Sequence, residues 1–292
     1  MLFQNVINDR FFRGALNVEW AGALILLGCL GYVAVTRAVD NDRRLLELRH
    51  ELDTARQIQA SILPHEMPTI EGLGLGARYL PMAAVAGDFY DFLDLGGGCL
   101  GVLVADVSGH GIPAALIASM VKVALVAQSA HGDDPARVLA GMNEIFCGRL
   151  ERQFVTAAYA YVDAAGGRLR YGAAGHPPAL LAHRAGDVEE IVENGVMLGH
   201  FPGWKYSSVD RPFLPGDRLI LYTDGLVEAT DSAGEFFDGD RLRAFAHRDS
   251  FASADAFAGA LVEHVSTFGG RTHNHGFDDD VTVVVVDSTR RG

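Results

Sequence analysis

Four stretches of this sequence join an apolar run of strand length to aspartate. Val102–Asp106 reads VLVAD and runs into a Gly-rich turn; Leu219–Asp224 reads LILYTD before Gly225. Asp278, Asp279 and Asp280 precede the run Val281–Val286, and Ala86-Gly87-Asp88 follows an extended stretch. Apolar strands must be buried, whereas carboxylates brought to one end of a layer repel one another and are costly to bury while charged. A fold that accepts this sequence has to satisfy both demands. Taken singly, each aspartate is explained as a turn or cap residue, because Asp before Gly marks turns. Taken together, the four are better explained as one site neutralised by divalent cations. All-oxygen donors suit Mg²⁺ or Mn²⁺ rather than soft metals. Two such ions roughly 3.5–4 Å apart can bind a phosphate, acidify a bridging water and stabilise in-line attack.

The segment from about Thr69 to Asp287 reads as the globular domain. Strands are expected over Gly74–Tyr79, Leu100–Asp106, Thr156–Asp163, Arg168–Ala174, Arg218–Thr223 and Val281–Asp287, some joined by short turns such as Ala165-Gly166-Gly167. Helices are expected over Ala114–Gln128, which is nearly all apolar and so expected to be buried, over Pro135–Arg149, and over Ser253–Phe268 with Ser253 as N-cap. Hairpin-linked strands and helices in separate blocks predict an α+β layered domain rather than a doubly wound sheet. Gly96-Gly97-Gly98 reads as a hairpin turn, since no Lys-Ser/Thr and no helix follow it as a phosphate cradle requires. A net charge of −13 argues against a nucleic-acid partner. Cys29, Cys99 and Cys147 lack CxxC spacing and read as free thiols of a reducing compartment.

Upstream, the only charged residue between Arg13 and Arg37 is Glu19. The run Trp20–Val35 approaches the ~20 apolar residues that a membrane helix needs, and Trp20 and Tyr32 suit its interfaces. A signal peptide or a buried core helix would be the alternatives. Arg37, Arg43 and Arg44 outnumber Arg10 and Arg13, which predicts a cytoplasmic C-terminal side. The expected location is the inner membrane, with a single span over about residues 15–36. Leu45, Leu48, Leu52, Ala55, Gln59 and Ile62 then follow alternating steps of three and four. That pattern fits either a helix packed on its own domain or a parallel coiled coil joining two copies, with polar Gln59 fixing the register. Pro64 and Pro68 end the helix.

The ordered series of segments resembles the metal-dependent serine/threonine protein phosphatases, in the bacterial SpoIIE/RsbU-like branch. Ala55–Pro64 (ARQIQASILP) is similar to the helix leading into the catalytic domain, and Tyr79–Asp91 (YLPMAAVAGDFYD) to the first acidic motif. Asp106–Ala115 (DVSGHGIPAA) is the most distinctive match; Gly172–Pro178 (GAAGHPP), Pro215–Ala229 (PGDRLILYTDGLVEA) and Asp279–Thr282 (DDVT) complete the set. The resemblance implies a four-layer αββα sandwich of two antiparallel sheets. It divides the chain into residues 1–37 with the membrane helix, a helical linker over 38–68 and a catalytic domain over 69–289.

The resemblance further implies that Asp106 bridges two Mn²⁺ or Mg²⁺ ions. The Val107 carbonyl would bind one ion and Asp224 and Asp279 the other, with Asp88 in contact directly or through water. The implied reaction is direct hydrolysis of phosphoserine or phosphothreonine on a regulatory protein similar to an anti-sigma-factor antagonist. A non-catalytic module that keeps the fold is the alternative. Departures from the pattern are Ala86 in place of a Gly, Val196-Met-Leu-Gly199 in place of a Pro-Leu-Gly turn, and no identifiable phosphate-binding Arg. Ser108 stands where better-known members carry a His, with His110 two residues on. His176 is expected to hold a turn, and His273 and His275 to lie in a solvated loop.

Overall fold

The computed structural model describes residues 18–83, 85–109, 111–150, 152–248, 253–270 and 277–289. The chain divides into two units, Met1–Asp53 and Thr54–Gly292. Helix α1 (Val18–Ile62) runs through the expected boundary between span and linker without a break. Its stretch from Trp20 is long and apolar enough to cross a membrane, with a window of mean hydropathy 1.8 and none of it buried. The helix stops just before Pro64, whose ring and missing N–H cannot continue it.

In the second unit ten strands form two five-stranded antiparallel sheets. One has the order β1 (Leu73–Leu80), β10 (Val281–Ser288), β9 (Arg218–Tyr222), β6 (Ala179–Ala182), β7 (Val188–Ile191). The other has the order β2 (Phe89–Gly96), β3 (Cys99–Val107), β4 (Val155–Asp163), β5 (Arg168–Ala174), β8 (Val209–Pro212). Helices α2 (Ile112–Ala127) and α3 (Pro135–Phe146) cover the outer face of the second sheet. The short α4 (Asp224–Val227), α5 (Asp238–Arg248) and α6 (Ala254–Phe268) cover the first.

Three apolar layers follow from the strand period of two. On β3, Leu103, Ala105 and Val107 face α2 and α3, while Leu100, Val102 and Val104 face the opposite sheet. On β10, Val281, Val283 and Val285 face α6, and Val284 and Val286 face inward. The result is the αββα sandwich. The turn expected at Gly96-Gly97-Gly98 is the β2–β3 hairpin, with all three glycines at positive φ. Ser253 caps α6 by accepting from the Ala256 N–H at 3.2 Å.

Several elements went unread. Strands β6, β7 and β8 and helix α5 are short or polar, and β2 (FYDFLDLG) breaks the apolar alternation with Asp91 and Asp94. The expectation that the Ala114–Gln128 helix is buried is corrected. A helix on the outside of a sandwich buries one stripe, here Ala114, Ile117, Ala118, Val121, Ala124 and Leu125, and leaves Leu116, Val123 and Val126 exposed.

The N-terminus of α6 lies against β1 so closely that a Cβ on Gly76 would meet the backbone of Ala254 and Asp255 at 2.5 Å. Gly76→Ala is expected to cost about 1–3 kcal/mol through overpacking against main chain that cannot rotate away. An unchanged urea midpoint for the full chain would refute this reading of the β1–α6 contact.

Candidate active site

The rows of side chains pointing between the sheets end in polar groups. The inward row of β3 runs Leu100, Val102, Val104, and its next member is Asp106. The row Leu219, Leu221 on β9 continues to Thr223. The row Val286, Val284 on β10 leads back to Thr282 and then Asp280. On β2, Tyr90 leads back to Asp88. These ends converge. Thr223 Oγ1 donates to Asp88 Oδ2 at 2.8 Å, and Thr282 Oγ1 donates to the same oxygen at 2.6 Å. Thr223 Oγ1 in turn accepts the Thr282 N–H at 2.9 Å. Asp88, on one sheet, is thus bonded by two strands of the other.

Asp280 holds the loop that delivers Asp88. Its Oδ1 accepts the Met82 N–H and its Oδ2 the Gly87 N–H, each at 2.7 Å. The Gly87 carbonyl accepts the Val107 N–H at 3.3 Å. Two glycines are required here by close backbone approach. A Cβ on Gly87 would lie 2.5 Å from the Val107 carbonyl oxygen, and one on Gly225 would lie 2.1 Å from that of Asp280. Ala86 is buried with negative φ, so its methyl group in place of the usual Gly introduces no strain.

The acidic groups form a gradient from dry to wet. Asp88 is buried, Asp106 and Asp224 are half-buried, and Asp279 and Glu228 are exposed. Burial, then the charge of Asp106, pushes the Asp88 carboxyl well above the usual range, against the opposing pull of the two threonine hydroxyls. Burial, then Asp224, Asp279, Asp280 and Glu228, pushes Asp106 up to about 7. Asp224 is raised by burial and by Asp279. Glu228 is raised by burial, Asp224 and Asp279. No Lys or Arg is among these influences, so within the described residues carboxylates face carboxylates.

The structure therefore brings Asp88, Asp106, Val107, Asp224 and Asp279 to one end of the sandwich. Among the described residues no three His, Cys, Asp or Glu side chains already stand as the ligands of an ion. The donor set nevertheless fits a hard divalent cation: oxygens only, mutually repelling, with the Asp106 carboxyl pushed up to about 7 by burial first and by its like-charged neighbours second.

Glu228, Asp280, Thr223 and Thr282 belong to the same neighbourhood and were given no role from sequence. The signal was present in the spacings Asp280-x-Thr282 and Leu219-x-Leu221-x-Thr223, which place both hydroxyls in rows that point between the sheets. Ser108 is engaged structurally: its N–H donates to the Phe154 carbonyl at 3.0 Å and its Oγ accepts the Phe154 N–H at 2.8 Å. His176 is buried, with Nδ1 2.9 Å from Thr156 Oγ1, and Thr156 pairs with Asp106 across β3–β4. Burial pushes this imidazole down to about 3, so it is neutral. His110, His273 and His275 lie outside the described residues.

Residues 96–289 match the family model described as Stage II sporulation protein E (SpoIIE). The chain is 26% identical over 242 residues to phosphoserine phosphatase RsbU of Bacillus subtilis, covering 82% of this chain and 70% of that protein. It is 29% identical over 192 residues to phosphoserine phosphatase RsbP of the same organism, covering 64% of this chain and 47% of that protein. The solved SiaA-PP2C domain of Pseudomonas aeruginosa superposes with a TM-score of 0.72 at 25% identity, over 82% of this chain and 96% of that one.

Two outcomes are expected of this geometry. Thr282→Val removes one of the two hydroxyl donors to Asp88 and should cost about 1–3 kcal/mol, the penalty for a buried acceptor left short of a partner. Equilibrium unfolding measures it, and a loss below roughly 0.5 kcal/mol would contradict the bonding described. Asp106 binds its proton more tightly folded than unfolded. Chelator-treated protein should therefore lose stability as pH rises from about 4 to about 7, and Asp106→Asn should flatten that slope. Parallel melting curves for the two proteins across this range would show that Asp106 carries no such shift.

Proposed function

The chain belongs to the SpoIIE family, and from that premise we propose that it is a metal-dependent phosphoserine/phosphothreonine protein phosphatase. Its substrate would be a phosphorylated regulatory protein of the anti-sigma-factor-antagonist kind. The observation that carries this reading is the acidic gradient from Asp88 through Asp106 and Asp224 to Asp279 at one end of the sandwich. The names of RsbU and RsbP, both phosphoserine phosphatases, support the substrate class.

In this reading Asp106 would help to hold two ions, Mn²⁺ or Mg²⁺. The Val107 carbonyl, Asp224 and Asp279 would complete their protein ligands, with Asp88 in contact directly or through water from the buried side. When bound, the ions supply positive charge for the phosphate and a water acidified for attack. The chain's own residues set the conditions. Asp106 must give up its proton to ligate, so ion binding is coupled to proton release near pH 7. Thr223 and Thr282 fix the orientation of the Asp88 carboxylate by bonding one of its oxygens. Asp280 and the bare Gly87 set the Asp88 loop directly against the Val107 carbonyl. The exposed side, at Asp279 and Glu228, is where a phosphorylated segment of a partner enters.

The apolar part of α1 would anchor the protein in the cytoplasmic membrane, with the catalytic unit in the cytoplasm. Leu45, Leu48 and Leu52 would pair it with a second copy. A non-catalytic reading draws on the lack of a ready-made set of three ligands among the described residues. It requires that the protein bind no Mn²⁺.

The test is phosphate release from a phosphoserine protein by the detergent-solubilised full chain, with Mn²⁺, with EDTA, and with Asp106→Asn. Activity should require Mn²⁺ and fall by at least about 100-fold in the variant, the scale for loss of a ligand to catalytic metal. Below pH 7 the apparent Mn²⁺ affinity should drop by about tenfold per pH unit for each proton displaced. Metal-independent hydrolysis, or full activity of Asp106→Asn, would refute the assignment; absent Mn²⁺ binding would favour the non-catalytic module.

A further inference from the structure

Gln59 sits in an apolar slot of the three-four pattern on α1, yet it is 5% exposed and bonded through both its amide nitrogen and its amide oxygen within the second unit. Its Nε2 donates to the Ala86 carbonyl at 2.6 Å, and its Oε1 accepts the Ala86 N–H at 2.9 Å. We infer that Gln59 is a positioning residue for the acidic site, acting through the Ala86 backbone on Gly87 and Asp88; the inference rests on the metal-site reading above.

The argument is one of constraint. Ala86 is wholly buried, so its N–H and carbonyl must be bonded or carry a desolvation cost. No strand takes them up, because β2 begins only at Phe89. The fork of a primary amide meets both groups at once, one as donor and one as acceptor. From Ala86 to Asp88 each residue is then held from a different direction. Ala86 is held by α1, Gly87 by Asp280 and Val107, and Asp88 by Thr223 and Thr282. Gly87 lies against the Val107 carbonyl with no room for a Cβ, so a small displacement of Ala86 moves the neighbours of that oxygen.

A second bond fixes the end of α1 that carries Gln59. Lys122 Nζ donates to the Ile62 carbonyl, one of the helix-terminal acceptors without an intrahelical partner, at 2.6 Å. The same ammonium pairs with Asp91 at 3.0 Å. Asp91 lies three residues beyond Asp88 on β2, and Lys122 lies on α2, the helix that follows the Asp106 turn. The last turns of α1 are therefore tied to both acidic segments. Other side chains do not reproduce the fork: Glu would set a carboxylate oxygen against the Ala86 carbonyl, Asn is a methylene too short, and Met bonds neither group.

The experiment compares the full chain in detergent with Gln59→Met and Gln59→Glu. Three quantities are read: hydrogen exchange of the 85–88 amides, Mn²⁺ affinity, and kcat with KM for a phosphoserine protein. In Gln59→Met the loop amides should exchange at least about tenfold faster while β4 and β5 keep their protection. Mn²⁺ should bind about tenfold more weakly, on the scale of residues that orient metal ligands. At limiting Mn²⁺ kcat should fall with KM unchanged, and excess Mn²⁺ should restore it. Gln59→Glu, which keeps the acceptor for the Ala86 N–H, should fall between. A folded Gln59→Met with wild-type loop exchange and Mn²⁺ affinity overturns the inference. So does a variant that only melts earlier while loop exchange and Mn²⁺ binding below its melting point are normal. If Gln59→Met fails to fold, Gln59→Glu decides on the same readouts. A wild-type chain without phosphatase activity would refute the enzyme reading alone, because exchange and Mn²⁺ binding would still decide the role of Gln59.

Discussion

A carboxylate enclosed between two apolar sheets must be bonded or neutralised, and Asp88 is bonded from across the sandwich by Thr223 and Thr282. That interaction ties β2 to β9 and β10 at the end of the layer where the apolar rows give out. The other features of the site follow from it. Asp280 is needed to bring the Asp88 loop in, Gly87 to let the loop reach the Val107 carbonyl, and Gly225 to let α4 start beside Asp280. Each is a solution to placing charge at the rim of a layer that otherwise excludes water.

The same packing explains why these carboxylates hold their protons more tightly than exposed ones do. Burial is the largest influence on Asp88, Asp106, Asp224 and Glu228, and their neighbours' negative charge adds to it. The fold places hydrogen bonds on Asp88 and Asp280 yet leaves Asp106 to face other acids, a setting that an added cation would relieve. Stability and chemistry pull against each other at this point, as they do where a site is held in a state its own side chains do not fully satisfy.

Much of this was legible in the sequence because strand burial has a period of two. Counting in steps of two from Val102 or Leu219 leads to Asp106 and Thr223, and long apolar runs such as Val281–Val286 have nowhere to go but the interior. What escaped reading lay where partners are distant in sequence. Gln59 at a heptad position has the same pattern whether it meets another helix or the Ala86 backbone. Asp280 among three successive aspartates carries no mark of its two loop bonds. Strand β8, with Asp210 on it, and strand β7, with two glutamates, are too polar to announce themselves; they are set by pairing with β5 and β6. The α2 stripe of Leu116, Val123 and Val126 shows the reverse, apolar composition that does not mean burial, because a helix outside a sandwich buries one face only.

The exposed rim of Asp279 and Glu228 belongs to a chain that carries a net charge of −13. As long as no cation offsets these carboxylates, an anionic partner drifting toward such a rim meets a field of its own sign, and the first approach is slowed rather than steered. Added salt shortens the reach of that field to about 8 Å at physiological strength. Encounter with an anionic partner is then quickened by salt, the opposite of the dependence seen where complementary charge guides association.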